Sequence, residues 1–179
     1  VITQLSAHID TQQPLRFELY HKLLAAKNFQ SGMQMVRQIE FALFDMLIHH
    51  QDQGLSIQEV LTTLADVRNQ VAVILPPNWH RFPHAFSHLF AGGYGAGYYS
   101  YKWAEVLSAD AYAAFEENAV LSDNGSRNTL VADTGRLFRD EILAIGGVRP
   151  AADSFVAFRG REPSPEALLR HSGLVEALA

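Results

Sequence analysis

Apolar residues recur at helical spacing along nearly the whole chain, and this periodicity limits the fold more than any other feature. Its clearest start is at Ser56. Ser56 and Glu59 stand at the S-x-x-E spacing of a capping box, which satisfies two of the free amides at a helix start. Ile57, Val60, Leu61, Leu64, Val67 and Val71 then follow on one stripe. Residues 71–75 are apolar and β-branched but continue that stripe, so they read as helix rather than strand. Pro76 and Pro77 are expected to end it, because proline has no backbone N–H to donate.

Other segments repeat the pattern. Pro14 suits the first turn of a helix, and Leu15, Leu19, Leu23 and Ala26 follow it at i, i+4, i+8 and i+11. Residues 32–50 carry Val36, Ile39, Leu43, Met46 and Leu47 on one stripe. The other side, with Arg37, Phe41 and Phe44, is not fully polar, so this helix is expected to be covered on two sides. His49 and His50 close it, where the helix dipole favours a cation and capping is their simplest role. Helix is expected again over 98–107, then over 111–118 after a break or cap at Ser108 and Asp110. Asp123-Asn124-Gly125 reads as a turn. A helix over about 126–145 stops at Gly146 and Gly147, where glycine can take the left-handed cap geometry. A short helix over 153–158 follows, and a last one starts at Ser164 and Pro165 and fades after His171. No strand is expected. The reading is one all-α, multi-helix lobe over 1–179, with helices over about 14–75, a Gly/Tyr-rich loop over about 76–97, and helices over about 98–171.

Composition narrows the function classes. The 179 residues suit one domain, and 48% hydrophobic against 18% charged residues excludes a disordered chain. Fourteen Lys and Arg against nineteen Asp and Glu give a net charge of −5, which argues against nucleic acid as a partner. Without cysteine there is no disulfide framework, no thiolate nucleophile and no Cys-bound zinc. The apolar runs are too short to span a membrane and no signal peptide opens the chain, so a cytoplasmic location without membrane partners is expected. The chain begins at Val1 rather than Met, as a processed product or a piece of a longer protein would.

Three groups of residues carry chemistry worth weighing. His80, His84 and His88 stand at i, i+4 and i+8, a spacing that zinc peptidases use for two ligands with a glutamate beside the first. Here Arg81 and Ala85 follow the first two, and Pro83 disrupts the helix, so hydrogen-bonding roles fit better than metal ligation. Arg37 with Glu40, and Arg136 with Asp140, have the spacing of solvated helix pairs. The most unusual stretch is residues 86–103, which holds four of the six tyrosines within 94–101. Tyr94, Tyr98 and Tyr101 stand at i, i+4 and i+7, a spacing that alone favours an aromatic core seam. Yet Gly92, Gly93, Gly95 and Gly97 lie among them, and each glycine weakens a helix by about 1 kcal/mol relative to alanine. A backbone that must bend, or come close to a ligand, is built this way. Tyrosine hydroxyls and an imidazole N–H also suit the stabilisation of a developing oxyanion. The stretch has the glycine density of phosphate-binding loops but follows no strand, which excludes the dinucleotide-binding reading.

With these residues in view, the chain resembles the thimet oligopeptidase / oligopeptidase A / dipeptidyl carboxypeptidase family of zinc metallopeptidases, most of all its bacterial oligopeptidase A branch. The resemblance covers essentially the whole chain. It rests on LAAKNF at 24–29, RQIEF at 37–41 leading to LFD at 43–45, FRDEIL at 138–143 and FRGREP at 158–163, and above all on FSHLFAGGYGAGYYSYKWA at 86–104. It implies that the chain corresponds to the C-terminal part of such an enzyme, because the family's HExxH helix and glutamate zinc ligand lie upstream of the segment matching Val1, and no HExxH occurs here. The resemblance implies metal-assisted hydrolysis of short peptides, with zinc bound upstream and none in this chain, which alone would be inactive. It makes His88 a substrate-binding histidine and Tyr94 a loop tyrosine that closes on substrate. Tyr98 and Tyr101 become the tyrosines near the scissile bond, with Tyr101 the expected oxyanion donor and Tyr98 its substitute. Gly92, Gly93, Gly95 and Gly97 become a hinge. The expected partners are short peptides and the N-terminal remainder of the peptidase, with self-association of the isolated segment through uncovered apolar surface. Two other readings stand beside it: a non-catalytic helical module that binds peptides or scaffolds, and a small metalloprotein using His80, His84 and His88.

Overall fold

A computed structural model describes residues 5–121 and 127–175; the turn at Asp123-Asn124-Gly125 lies outside the described residues. Helix dominates as expected, and the chain is an all-α lobe. Helix α1 (Phe17–Lys27) begins after Pro14 rather than at it, because Arg16 is still extended. None of its residues is buried, and Leu19 and Leu23 of its stripe face outward.

Helix α2 (Ser31–His49) and helix α3 (Ile57–Val71) pack against each other and hold the main core. The capping box of α3 is complete. The Ser56 N–H donates to Glu59 Oε2 at 2.7 Å and the Glu59 N–H donates to Ser56 Oγ at 3.3 Å. The face that α2 buries differs from the expected stripe: Phe41, Phe44, Glu40 and Asp45 are buried, whereas Ile39, Met46 and Leu47 are exposed. The larger aromatic pair meets Leu64 and Val67 of α3, and burying a phenylalanine stabilises by roughly 1.5–3 kcal/mol. Glu40 crosses to Arg68 Nε of α3 at 3.0 Å instead of pairing with Arg37. Helix α3 stops at Val71, short of Pro76. Beyond that point Val73, Ile74 and Leu75 meet no core and stay exposed, so nothing sustains the stripe.

The 76–97 segment is more ordered than a loop. It contains two single-turn helices, α4 (Phe82–Ala85) and α5 (Ser87–Phe90), with Pro83 in the first turn of α4 where its missing N–H costs nothing. Phe82, Phe86 and Leu89 drive this segment into the core between α2 and α3, with the Phe82 and Phe41 rings stacked at 4.7 Å.

Helix α6 (Ser100–Glu117) runs unbroken through Ser108 and Asp110, contrary to the expected break. Asp110 is buried because its partners come from far along the chain, and it caps nothing locally. It accepts from Arg159 Nε at 3.1 Å, from both Arg161 terminal nitrogens at 2.7 and 2.6 Å, and from the Ser164 N–H at 2.8 Å. Ala109 and Ala113 of α6 form a second core with Ala167.

The chain then makes two short strands that were not expected, β1 (Val120–Leu121) and β2 (Arg127–Asn128), paired antiparallel with Val120 opposite Asn128. The helix expected over 126–145 is shorter and changes type. Helix α7 (Ala132–Phe138) passes into a π-helical turn at Arg139–Leu143, beside which Arg149 donates to the carbonyl of Glu141 at 3.1 Å and to its carboxylate at 2.7 Å. Gly146 has φ +54, the left-handed geometry anticipated there. Arg136 pairs with Asp133, while Asp140 takes Arg139 at 2.7 Å, so the Arg136–Asp140 pair does not form. Helix α8 (Ala151–Arg159) buries Phe155 and Phe158. Helix α9 (Glu166–His171) starts where the Ser164 hydroxyl accepts the Glu166 N–H at 3.3 Å. Among the described residues no helix is long and apolar enough to cross a membrane.

Candidate active-site wall

The site is built from the core outward, and its first support is Asp45. This aspartate sits on the inner face of α2 between Phe44 and Met46, with no exposed surface. A buried carboxylate needs hydrogen-bond partners, and it finds them in the Gly/Tyr-rich segment. The Ala96 N–H donates to Oδ1 at 2.8 Å and the Tyr98 N–H to Oδ2 at 2.9 Å. His49, one turn further along α2, places Nδ1 2.8 Å from Asp45 Oδ1 and 2.9 Å from the Asp45 carbonyl. Both are acceptors, so Nδ1 carries the proton. His49 is therefore tied to the carboxylate as well as to its own helix, a larger role than capping alone.

From this anchor the tyrosines fan out. The Tyr98 ring packs edge-on against Phe86 at 5.1 Å and Phe41 at 6.0 Å, so the core-seam reading holds for its body. Its hydroxyl leaves the core and donates to Gln38 Oε1 at 3.0 Å. Tyr101, at the start of α6, lies 5.2 Å from Tyr98 and stacks on Tyr94 at 5.2 Å. The His88 ring contacts all three, at 6.1 Å from Tyr94, 5.7 Å from Tyr98 and 6.2 Å from Tyr101. The four side chains singled out in the sequence thus converge. His88, Tyr98 and Tyr101 face a cavity of about 490 Å³, walled on the far side by Gln34, Arg37 and Gln38 of α2.

The electrostatics keep the phenols protonated. A hydrogen bond with Tyr94 is the main cause that raises the Tyr101 pKa above the ordinary tyrosine value, with burial and the neighbouring phenols adding to it. Burial raises Tyr98 and outweighs the opposing charge of Arg37. A hydroxyl that must donate a hydrogen bond needs its proton, and both retain it well past neutral pH.

The glycines differ in what they do. Gly93 has φ +76, a conformation that disfavours any side chain. At Gly92 a Cβ would lie 3.1 Å from the backbone of His88, a tight contact that the backbone must yield to by a few tenths of an ångström. At Gly95 a Cβ would come 3.2 Å from His49 Nε2, whereas Gly97 has room for ordinary contact with the Tyr94 carbonyl.

The three spaced histidines do not share a helical face, since Phe86 separates α4 from α5 and His80 precedes both. His80 Nδ1 instead accepts from Arg68 Nη2 at 3.2 Å. Among the described residues no three His, Asp or Glu side chains are gathered to hold a metal ion. Sequence reasoning missed Asp45 and Gln38, and took Arg37 for a solvated pair when it lies over the Phe41 ring at 4.9 Å and lines the cavity. The available signal was Asp45 itself, a carboxylate inside the apolar run FALFDML.

The loop of glycines and tyrosines folded over His88, together with the helices that hold it, falls within a match to a known family. Peptidase family M3 matches residues 1–174. The chain belongs to this family. Its relatives include oligopeptidase A of Haemophilus influenzae, 49% identical over 96% of this chain and 24% of the relative. Oligopeptidase A of Escherichia coli K12 is 49% identical over 95% of this chain and 24% of its own length. The probable cytosolic oligopeptidase A of Arabidopsis thaliana is 46% identical over 99% of this chain and 25% of the relative. The chain therefore spans about a quarter of the length of the curated relatives it matches.

Proposed function

We propose that this chain supplies the substrate-binding and oxyanion-stabilising wall of a zinc-dependent oligopeptidase that hydrolyses short peptides in the cytoplasm. The observation that carries this reading is the convergence of His88, Tyr98 and Tyr101 on one cavity of about 490 Å³, with Tyr94 stacked on Tyr101 and in edge contact with His88. The residues of this chain do not fit the zinc: no HExxH occurs in the sequence and no trio of ligands is gathered among the described residues. The metal belongs to the remainder of a longer enzyme.

The steps that this chain's residues perform are hydrogen bonding and orientation. His88 and Tyr94 hold the peptide backbone along the cavity. Tyr101 donates to the scissile carbonyl oxygen as negative charge develops on it, with Tyr98 beside it as the second donor. A donor that strengthens its bond only as charge develops lowers the barrier without tightening substrate binding. The remainder of the enzyme is the partner that covers the apolar side chains left exposed here, among them Phe17, Leu23, Phe29, Ile74 and Trp79. Without that cover the isolated chain self-associates.

The test is Tyr101→Phe in the complete enzyme, assayed on a short fluorogenic peptide. Losing one oxyanion donor lowers kcat by about 10²–10³, and KM stays near wild type because ground-state binding is untouched. A wild-type kcat removes Tyr101 from the role. If Tyr98→Phe alone shows the loss, the two tyrosines exchange assignments.

A further inference from the structure

The tyrosines do not position themselves. We infer that Asp45, braced by His49, is the positioning residue that fixes Tyr98 and Tyr101 in register for the reaction. The inference rests on the proposed peptidase reading and deepens it, because it names what sets the geometry of the donors.

The geometry is specific to a carboxylate. Asp45 holds two backbone amides two residues apart, one on each oxygen, and takes His49 on Oδ1 as a third contact. Fixing the amides of Ala96 and Tyr98 together fixes the direction in which the Tyr98 side chain leaves the backbone. It also fixes the start of α6 at Ser100 and hence Tyr101, within its first turn. Asparagine cannot replace it without loss, since it offers one acceptor and turns an N–H₂ toward a donor.

The backbone under this clamp is strained. Ala96 has φ +57, a left-handed conformation that a residue other than glycine adopts only against the clash of its Cβ with the backbone. The chain holds it while its N–H is bonded to Asp45. Strain kept in a segment that carries reactive groups points toward function rather than stability. His49 closes the other side, with Nε2 3.2 Å from the position of a Cβ on Gly95, so the loop passes close beneath the imidazole and a side chain there would press on it. The anchor itself cannot shift, because Phe41 and Phe44 lock that stretch of α2 into the core.

A purely structural carboxylate and a positioning one predict different kinetics. In the complete enzyme, Asp45→Asn lowers kcat by about 10²-fold, the loss expected when reacting groups move by about 1 Å, while KM changes little. The decisive measurement repeats Asp45→Asn in a background that already carries Tyr98→Phe and Tyr101→Phe. If Asp45 acts through the tyrosines, the substitution costs little more there. An equal loss in both backgrounds, or a wild-type kcat for Asp45→Asn, overturns the inference. Should Asp45→Asn fail to fold, His49→Gln leaves both amide bonds intact and removes only the brace. It then gives a smaller fall in kcat that likewise vanishes in the tyrosine-free background, and a wild-type kcat for it overturns the inference. Tyr98→Phe and Tyr101→Phe enzymes that turn over normally sink the oxyanion-donor reading together with the inference. Slow tyrosine variants with an additive Asp45 effect sink the inference alone.

Discussion

Replacing Asp110 with asparagine tests whether the second half of the chain is held together as described. Asp110 lies on α6 with about 1% of its side chain exposed, nine residues beyond Tyr101 on the same helix. It gathers Arg159, a bidentate Arg161 and the Ser164 N–H, and so ties the end of α8 and the start of α9 to the tyrosine-bearing helix. The asparagine side chain keeps the shape but loses the charge and one acceptor, leaving at least two donors facing an N–H₂ group. Each charge-assisted hydrogen bond is worth about 1.5–3 kcal/mol, and breaking a buried pair costs about 3–5 kcal/mol. Arg159 keeps Glu117, which it reaches at 2.8 and 2.7 Å, so the lower end applies. The expected loss is about 3 kcal/mol, a little over a hundredfold in the folding equilibrium. Equilibrium urea unfolding, followed by tryptophan fluorescence, reads it as a lower midpoint at unchanged slope. A shift worth less than about 1 kcal/mol, within the range of an exposed ion pair, would refute the reasoning.

Two further outcomes are open to measurement. Gly93→Ala meets open space but must hold φ +76, so it restricts the loop and lowers kcat in the complete enzyme, and Gly92→Ala presses on the His88 backbone and lowers it too; wild-type kinetics for both would remove the glycines from any role in the loop. Acid should also loosen the second core. At Asp110 and Glu116 burial pushes the pKa up but the arginine and histidine partners together outweigh it, and at Glu117 the Arg159 hydrogen bond leads, so all three end below the ordinary value. A depressed folded pKa means that the stabilisation is complete above the ordinary carboxylate range near about 4 and is lost as pH falls through the lower folded values. The urea midpoint measured from neutral pH downward should hold and then fall below that range. A midpoint that stays level to pH 2, at about two units below the ordinary value, would contradict the assignment.

How much of this was legible in the sequence depended on how far away each residue's partners lie. Ser56 and Glu59 are three residues apart, and both halves of their capping box formed as read. The Gly/Tyr-rich stretch was legible for a similar reason, since its glycine density conflicts locally with its helical tyrosine spacing. The face of α2 was not, because Ile39, Met46 and Leu47 are as apolar as a core needs, and only the arrival of Phe82 and Phe86 from another segment favours Phe41 and Phe44. Ser108 and Asp110 read as a break because short polar residues often leave a helix locally. The structure resolves the conflict through arginines 49 and 51 residues downstream.

Asp45 makes the same point for the site. Besides His49, its hydrogen-bond donors are backbone amides 51 and 53 residues away, and a backbone amide leaves no trace in the sequence. What the sequence did contain was the cost: an ionisable group inside FALFDML has to be satisfied somewhere, or the helix would not bury that face. The tyrosines identify the site by what they are, whereas Asp45 is identified only by what it would lack if the loop were elsewhere. A buried carboxylate with only one local partner, here His49, is therefore a pointer to a distant segment, and that segment is the one carrying the phenols.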